Sequence, residues 1–256
     1  EGENFDGHNF IKDCIEKGAV GAVVRRGKIK IGTHPIFYRC YNARKNGMCP
    51  YFLIEVADTL KALGDIANFH RKRFNIPVVG ITGSNGKTTT KDMTAHILSA
   101  KYNVLKNEGT LNNLIGVPLT LLKLNSGHQA CVLEMGTNHT GEIARLTAIA
   151  RPDIGVITNV GPSHLEFFNN LETVAKAKIE LFKNFKIRDT AVWNADDPNL
   201  KVIYKLLNCK KKTFGYETES DLRATNAEYL DDGWRFAINS NRLIKIKLLG
   251  RHNIYN

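Results

Sequence analysis

The chain has 256 residues, which is enough for one large domain or two modest ones, each with its own core. Hydrophobic residues make up 43% and charged residues 24%, and no apolar run approaches the ~18 residues that a membrane-spanning helix needs. The net charge of +11 comes from scattered Lys and Arg residues without interleaved aromatic residues. We therefore expect small anionic ligands, and neither nucleic acid nor membrane insertion.

The first 75 residues predict a small α/β unit. Its predicted elements are a helix over 9–17, a strand over 19–24, a strand over 52–56 and a helix over 59–73. Asp58 is a candidate N-cap of the second helix. The inward stripe of that helix is expected to contain Leu60, Leu63, Ile66, Ala67 and either Phe69 or His70. The Asn-Ile-Pro sequence at 75–77 ends the helix and predicts a domain boundary.

The five cysteines are dispersed and form no C-x-x-C pair, so they predict neither a zinc site nor a disulfide framework. Cys40 and Cys49 lie in a basic excursion from Lys28 to Pro50 and could pair in an oxidising compartment. A reduced, cytoplasmic location is the simpler interpretation. Because the chain begins with Glu1 in the middle of a pattern, we expect a fragment of a longer protein.

From residue 78 onward strands and helices alternate, which predicts a mostly parallel sheet covered by helices on both faces. The predicted strands are 78–82, 104–105, 130–134, 154–159 and 190–194, and the predicted helices are 89–100, 141–150 and 171–182. Residues 224–249 alternate with a period of two, which is typical of a β-meander.

The strand over 78–82 runs into a turn that begins with Gly83, then Gly-Lys-Thr, then a helix. This order is typical of a phosphate-binding loop, whose N–H groups and helix dipole attract phosphate oxygens. The pattern departs from the general motif at Ile81, where a first glycine is expected. A turn without a ligand is the alternative. The candidate ATP-binding residues here are Gly83, Ser84, Asn85, Gly86, Lys87, Thr88 and Thr89.

Polar residues follow the predicted parallel strands, at the edge of the sheet where ligands gather. Glu134, Asn159 and Asn194 close three strands, and His164 follows Asn159 by five residues. An acid and a histidine beside a phosphate loop indicate Mg²⁺, which is held by few protein ligands together with phosphates. Taken singly, such a Glu is often a loop anchor and such a His a hydrogen-bonded loop residue.

Several stretches, in this order, resemble those of the Mur ligases, which are ATP-dependent enzymes that add amino acids to the muramyl peptide of bacterial cell wall. The stretches are 81–91, 109–118, 134–143, 158–166, 175–178, 194–197 and 250–253. Ser84, Lys91 and the Asn112–Asn113 pair favour the branch that joins D-alanyl-D-alanine to UDP-N-acetylmuramoyl-tripeptide. Another Mur ligase or a folylpolyglutamate synthetase relative stays an alternative, as does a truncated nucleotide-binding module without catalysis.

The resemblance implies an α/β fold with two parts. Residues 1–75 would be an incomplete N-terminal substrate domain for the UDP-sugar. Residues 76–256 would be the central P-loop ATPase domain, with a mostly parallel sheet and a terminal β-meander, and a third domain would be absent. It also implies a cytoplasmic monomer that uses ATP and Mg²⁺ to form an amide through an acyl phosphate.

The resemblance further implies a role for individual residues. The ATP phosphates would be held by Lys87 and the loop backbone, and the adenine and ribose would be approached by Asn194 and Asn253. One Mg²⁺ would be held by Thr88 and Glu134, and a second by His164 and a carbamylated Lys178. The muramyl-peptide channel would be lined by Asn112 and Asn113. Lys87, Glu134, His164 and Lys178 would thus be the catalytic set. Without the resemblance, Lys178 reads as a solvated helix lysine and the two asparagines as turn residues.

Overall fold

The computed structural model describes residues 6–28, 52–162 and 170–256. Its contacts divide the chain into two compact units, Glu1–Leu63 and Gly64–Asn256. The division lies earlier than the domain boundary predicted after residue 75, which stays a prediction. The excursion with Cys40 and Cys49, and also His164, lie outside the described residues.

In the first unit, a 3₁₀ turn at Gly7–Phe10 precedes helix α1 (Ile11–Glu16), which is followed by strands β1 (Gly21–Arg25) and β2 (Phe52–Val56). The two strands pair in parallel, and Ile11, Ile15 and Val24 form the buried cluster between helix and strand. Helix α2 (Thr59–Arg71) begins at the end of this unit, where the Asp58 carboxylate accepts a hydrogen bond from the Lys61 amide at 2.9 Å, as its predicted N-cap role requires.

The second unit contains the following elements, in chain order: β3 (Val78–Thr82), α3 (Lys87–Ser99), β4 (Val104–Lys106), α4 (Gly116–Leu121), β5 (Ala130–Glu134), α5 (Glu142–Ala150), β6 (Ile154–Ile157), α6 (Leu171–Ile179), β7 (Thr190–Asn194), α7 (Ile203–Leu206), β8 (Lys210–Gly215), β9 (Leu222–Leu230), β10 (Gly233–Ile238) and β11 (Arg242–Ile246). Among the described residues no helix combines the length and the apolar character needed to cross a membrane.

Nine described strands form one sheet in the order β11-β10-β9-β8-β7-β6-β3-β5-β4. Pairing is parallel from β4 through to β9, and antiparallel between β9, β10 and β11. The predicted α/β fold with a mostly parallel sheet and a terminal β-meander is therefore confirmed. Because β3 lies between β5 and β6, the loops that follow these three strands meet at one edge of the sheet.

Helices cover both faces of β3, whose five residues are all buried. Successive side chains of a strand point to opposite faces. Val78 accordingly packs in one cluster with Leu146 of α5, whereas Val79 and Ile81 pack in another with Ala95 of α3. A strand buried on both sides holds the following loop in a fixed position.

The inward stripe predicted for α2 is wrong in part. Ala67 is buried as predicted and Leu63 and His70 are partly buried, but Leu60, Ile66 and Phe69 are exposed. The other buried positions of the helix are Gly64 and Arg71. The Arg71 guanidinium donates hydrogen bonds to three main-chain carbonyls, those of Ala150 (3.1 Å), Phe74 (2.6 Å) and Ile76 (3.1 Å). Arg71 lies one turn after Ala67, outside the predicted stripe, and its bond to Ala150 caps the end of α5.

Strand β6 ends at Ile157, two residues before its predicted end at Asn159. The reason lies in the side chains that follow. Thr158 donates from Oγ1 to the Asn85 carbonyl at 2.6 Å, and the Asn159 Oδ1 accepts from the Asn85 amide at 3.0 Å. These side-chain bonds join the residues after β6 to the loop after β3, in addition to the main-chain bond from the Thr158 amide to the Thr82 carbonyl at 3.0 Å.

Candidate functional site

The loop between β3 and α3 has the shape of a phosphate-binding loop. Gly83 and Gly86 have φ of 153° and 79°, and a Cβ at these positions would lie 1.9 Å from the Thr158 Oγ1 and 2.2 Å from the Asn256 Oδ1. Only glycine meets both the conformational and the spatial requirement. Helix α3 begins directly at Lys87, so its first amides face the loop. The Lys87 Nζ donates to the carbonyls of Gly83 and Ser84, each at 3.0 Å.

The loop is joined to the segment after β6 by reciprocal hydrogen bonds. The Ser84 hydroxyl donates to the Gly161 carbonyl at 2.9 Å and accepts from the Gly161 amide at 2.8 Å. The Ser84 amide donates to the Asn159 carbonyl at 2.9 Å. Asn159 therefore lies at the predicted edge of the sheet, where both its main chain and its side chain bond the loop.

Glu134 lies at the end of β5, and its side chain meets two other predicted site residues. Its carboxylate accepts a hydrogen bond from the Thr88 hydroxyl at 2.8 Å through Oε2, and one from the Asn112 amide at 2.8 Å through Oε1. Within the described ranges no three His, Cys, Asp or Glu side chains converge as a metal-binding group. One carboxylate with a neighbouring hydroxyl fits Mg²⁺, which takes one or two carboxylates and leaves positions for water and phosphate.

Lys178 is 3% exposed, so it is not a solvated helix lysine. Burial, and after it the positive charge of Lys87, lowers the pKa of Lys178 from 10.5 to about 8. Burial also lowers the pKa of Lys87, against the opposing effect of the Glu134 charge. On the same helix, Lys176 is exposed and forms an ion pair with Glu172 at 2.7 Å. Lys178 thus lies within electrostatic range of the phosphate loop.

The two adjacent asparagines predicted to line a substrate channel differ in their surroundings. Asn112 bonds the Glu134 carboxylate, as described above. The Asn113 Oδ1 instead accepts from the amides of Ile115 (3.0 Å) and Gly116 (2.8 Å) and shapes the turn into α4. The Asn113 Oδ1 therefore makes the contacts of a turn residue, and the place of Asn113 in a substrate channel stays a prediction.

A cavity of about 470 Å³ opens beside the phosphate loop. Asn85, Gly86, Asn194, His252, Tyr255 and Asn256 are among its lining residues. Asn194 is thus found beside the loop, as predicted. Asn253 is 7% exposed; its amide donates to the Leu249 carbonyl at 2.6 Å and its Oδ1 accepts from the Asn256 side chain at 2.9 Å.

His252 and Tyr255 line the cavity although the sequence did not indicate them as site residues; they lie near the predicted Asn253, in the 3₁₀ turn at Arg251–Ile254 and at its C-cap. Neighbouring side chains of a 3₁₀ turn point in different directions. The motif over 250–253 therefore locates the turn but does not tell which of its side chains reaches the cavity.

Asp196 holds the Tyr255 side of the cavity. Its carboxylate accepts from the amides of Tyr216 (2.7 Å), Glu217 (3.0 Å) and Thr218 (2.6 Å), and from the Tyr255 hydroxyl (3.0 Å). Burial alone would raise the pKa of Asp196, but the backbone hydrogen bonds outweigh it and hold this pKa well below its usual value.

Comparison with known proteins supports the resemblance in the sequence. The model of the Mur ligase middle domain matches residues 81–256. The UDP-N-acetylmuramoyl-tripeptide–D-alanyl-D-alanine ligase of Bacillus subtilis is 36% identical over 257 residues, covering 100% of this chain and 52% of that protein. The chain thus spans about half the length of the curated relatives that it matches.

Two solved structures are similar over the whole chain. The structure of MurF from Acinetobacter baumannii has a TM-score of 0.87 and 30% identity, covering 100% of this chain and 53% of that one. The MurF ligase from Thermotoga maritima in complex with ADP has a TM-score of 0.83 and 30% identity, covering 100% and 56%. Since the family model extends over more than half of the chain, from within β3 to the last residue, the chain belongs to the Mur ligase family.

Proposed function

We propose that the protein is an ATP-dependent ligase that joins D-alanyl-D-alanine to UDP-N-acetylmuramoyl-tripeptide in the synthesis of peptidoglycan precursors. One observation carries the proposal. Thr88 of the phosphate loop and Asn112 bond the two oxygens of one carboxylate, that of Glu134. A triphosphate loop, an acid and an amide that lies in a family motif thereby meet at one point, as a reaction between ATP and a substrate carboxylate requires.

ATP is assigned to the loop and the adjoining cavity. The triphosphate would bind the amides from Gly83 to Thr89 together with Lys87, and the base would enter the cavity beside Asn194, His252 and Tyr255. Asn253 would support this wall through its bond to Asn256. The similarity to a Thermotoga maritima relative in complex with ADP supports this assignment.

Mg²⁺ is assigned to Thr88 and Glu134, whose oxygens lie 2.8 Å apart and are the types that this ion prefers. His164, outside the described residues, and Lys178 would hold a second ion. When bound, Mg²⁺ neutralises phosphate charge and lets a carboxylate approach the triphosphate.

Lys178 would act as a carbamate. Its neutral amine adds to CO₂ and loses a proton, which converts a cation into an anionic oxygen ligand. The pKa of about 8, caused by burial and by Lys87, supports this role because it increases the neutral fraction near physiological pH.

The reaction proceeds in two displacements. A carboxylate oxygen of the tripeptide attacks the γ-phosphorus, the bond from that phosphorus to ADP breaks, and an acyl phosphate forms. The amine of D-alanyl-D-alanine then attacks the acyl carbon, the carbon–oxygen bond breaks, phosphate leaves, and the nitrogen loses a proton. Lys87 would supply positive charge to the transferred phosphoryl group, and the Asn112 amide would orient the substrate carboxylate. We further propose that the protein acts in the cytoplasm as a monomer.

The test uses the polypeptide from the full reading frame with ATP, Mg²⁺, UDP-N-acetylmuramoyl-tripeptide and D-alanyl-D-alanine. We expect the pentapeptide product, with ADP and phosphate in equal amounts. Lys87→Ala should lower phosphate release by ~100-fold or more, whereas Lys101→Ala, an exposed lysine just beyond α3, should not.

Two results would contradict the proposal. Turnover with a different amino acid on a shorter muramyl peptide, or with glutamate on a folate, would assign the protein to another branch. ATP binding without phosphate release on any of these substrates would indicate a non-catalytic module.

A further inference from the structure

Asn107, directly after β4, has an unusual set of contacts for a loop asparagine. It is 1% exposed, and its Oδ1 accepts from the Glu134 amide at 2.8 Å while its Nδ2 donates to the Glu134 carbonyl at 3.0 Å. A side-chain amide has the same donor and acceptor as a peptide group. The Asn107 side chain therefore bonds both main-chain groups of Glu134, its N–H and its C=O.

The same side chain also reaches the loop that carries Asn112. The Asn107 Nδ2 donates to the Leu111 carbonyl at 2.8 Å, and Leu111 directly precedes Asn112. Because the Asn112 amide bonds the Glu134 carboxylate, both partners of that contact are connected through their main chains to one buried amide.

Lys91 bonds the main chain of Asn107. It lies one helical turn after Lys87 on α3, is 2% exposed, and donates from Nζ to the Asn107 main-chain carbonyl at 3.0 Å. The Asp92 carboxylate lies 3.4 Å from the same ammonium group. A buried ammonium group with these partners fixes the main chain at residue 107, because leaving the charge without them is costly.

We propose that Asn107 is a positioning residue, supported by Lys91. It orients the Glu134 carboxylate toward Mg²⁺ and keeps the Asn112 amide in contact with the Glu134 carboxylate. This inference rests on the proposed function. It assigns to Asn107 an effect on metal-dependent ATP binding and none on the contacts of the loop amides with phosphate.

The experiment measures ATP binding to the 256-residue chain by calorimetric titration, once in Mg²⁺ and once in EDTA. The unchanged chain is expected to bind ATP more tightly in Mg²⁺. In Asn107→Ala, the ratio of the two Kd values should fall by ~10-fold or more, as is usual when a residue that orients a metal ligand is lost. The Kd in EDTA should stay within about threefold, because a loop that still presents its amides and dipole keeps its anion affinity.

Asn68→Ala is the matched control. Its Nδ2 donates to the carbonyls of Ala148 (2.9 Å) and Ile149 (2.8 Å), so the variant loses two comparable hydrogen bonds away from Glu134. It should lower the free energy of unfolding and leave the Mg²⁺ ratio unchanged. Lys91→Met, which keeps the hydrocarbon stem, should lower the ratio as well and decides the question if Asn107→Ala does not fold.

The outcomes are distinguishable. If the unchanged chain binds ATP equally in Mg²⁺ and EDTA, the proposed function fails and takes this inference with it. Suppose that the unchanged chain binds ATP more tightly in Mg²⁺, and that folded Asn107→Ala has the same ratio of Kd values or a ratio reduced no more than that of Asn68→Ala. The positioning role is then wrong, while the proposed function stands.

Discussion

Replacing Lys178 by Met should make the protein more stable at neutral pH, although it removes a residue of the proposed metal site. The pKa of this buried lysine is about 8, against an ordinary 10.5, because burial and then the charge of Lys87 disfavour the cation. Each pH unit between the two values is worth ~1.4 kcal/mol, so the protonated amine destabilises the folded state by on the order of 3 kcal/mol. Methionine has a similar length and no charge.

The effect has a defined pH dependence. Since the pKa of Lys178 is lower in the folded state, the unfolded chain binds more protons between about pH 8 and pH 10.5, and the stability of the unchanged protein rises with pH in this window. The gain from Lys178→Met is therefore complete below pH 8, decreases through the window and disappears above pH 10.5.

Urea unfolding of the 256-residue chain at pH values from about 7 to about 10.5, in CO₂-free buffer that keeps the amine unmodified, measures this gain. Lys176→Met on the same helix is the control; because its side chain is exposed, it should change the free energy of unfolding by less than ~0.5 kcal/mol at any pH. A Lys178→Met variant that is no more stable than the unchanged chain at neutral pH, or a gain independent of pH, would refute the reasoning.

Three further changes test other parts of the structure. Gly83→Ala should lower the free energy of unfolding by ~2 kcal/mol and abolish ATP binding, because its Cβ would meet the Thr158 hydroxyl at a positive φ; retained affinity in a titration would contradict this. Arg71→Met removes the charged donor to three main-chain carbonyls and should cost ~3 kcal/mol in urea unfolding, and a loss below ~1 kcal/mol would show that water replaces it. Asp196→Asn should lower the Tm at neutral pH, because the ionised Asp196 carboxylate stabilises the folded state through its hydrogen bonds. Since its pKa is lowered, this stabilisation is present above the ordinary value of 3.8 and is lost as the pH falls further. A difference in Tm between the two proteins that persists in acid would contradict this role of Asp196.

The parts of the fold that were predictable from sequence have local signals. Strands over 52–56, 78–82 and 190–194 have the predicted bounds. Each is a short stretch dominated by apolar or β-branched residues, which is the local signal of a strand. The helix predicted over 171–182 continues only to Ile179 and then tightens into a 3₁₀ turn at Glu180–Phe182. Helix ends vary in this way because the last turn often changes its hydrogen-bond pattern.

Other elements lacked such signals. Helix α4 contains Gly116 and Pro118, which are typical of loops, and strand β8 begins with three lysines that read as an exposed charge run. Pairing with β7 and β9 makes β8 a strand, and this pairing is a tertiary effect that no local window contains.

The same limit applies to the candidate site. The motif around the loop indicates Lys87, Thr88 and Glu134 because strand ends and glycines identify them in the sequence. No pattern indicates that Lys178 is buried, or that Asn112 and Asn113 have different partners, since both depend on how helices and loops pack. Asn107 belongs to no motif, and only its contacts reveal it.

The reciprocal bonds between Ser84 and Gly161 have a mechanical consequence. The Ser84 hydroxyl both donates to and accepts from the main chain of one residue, Gly161. The phosphate loop and the segment after β6 therefore cannot move relative to each other without breaking two hydrogen bonds at once. A ligand that orders the loop between β3 and α3 therefore also orders Gly161. Slower amide exchange at Gly161 would report binding of that ligand at the loop.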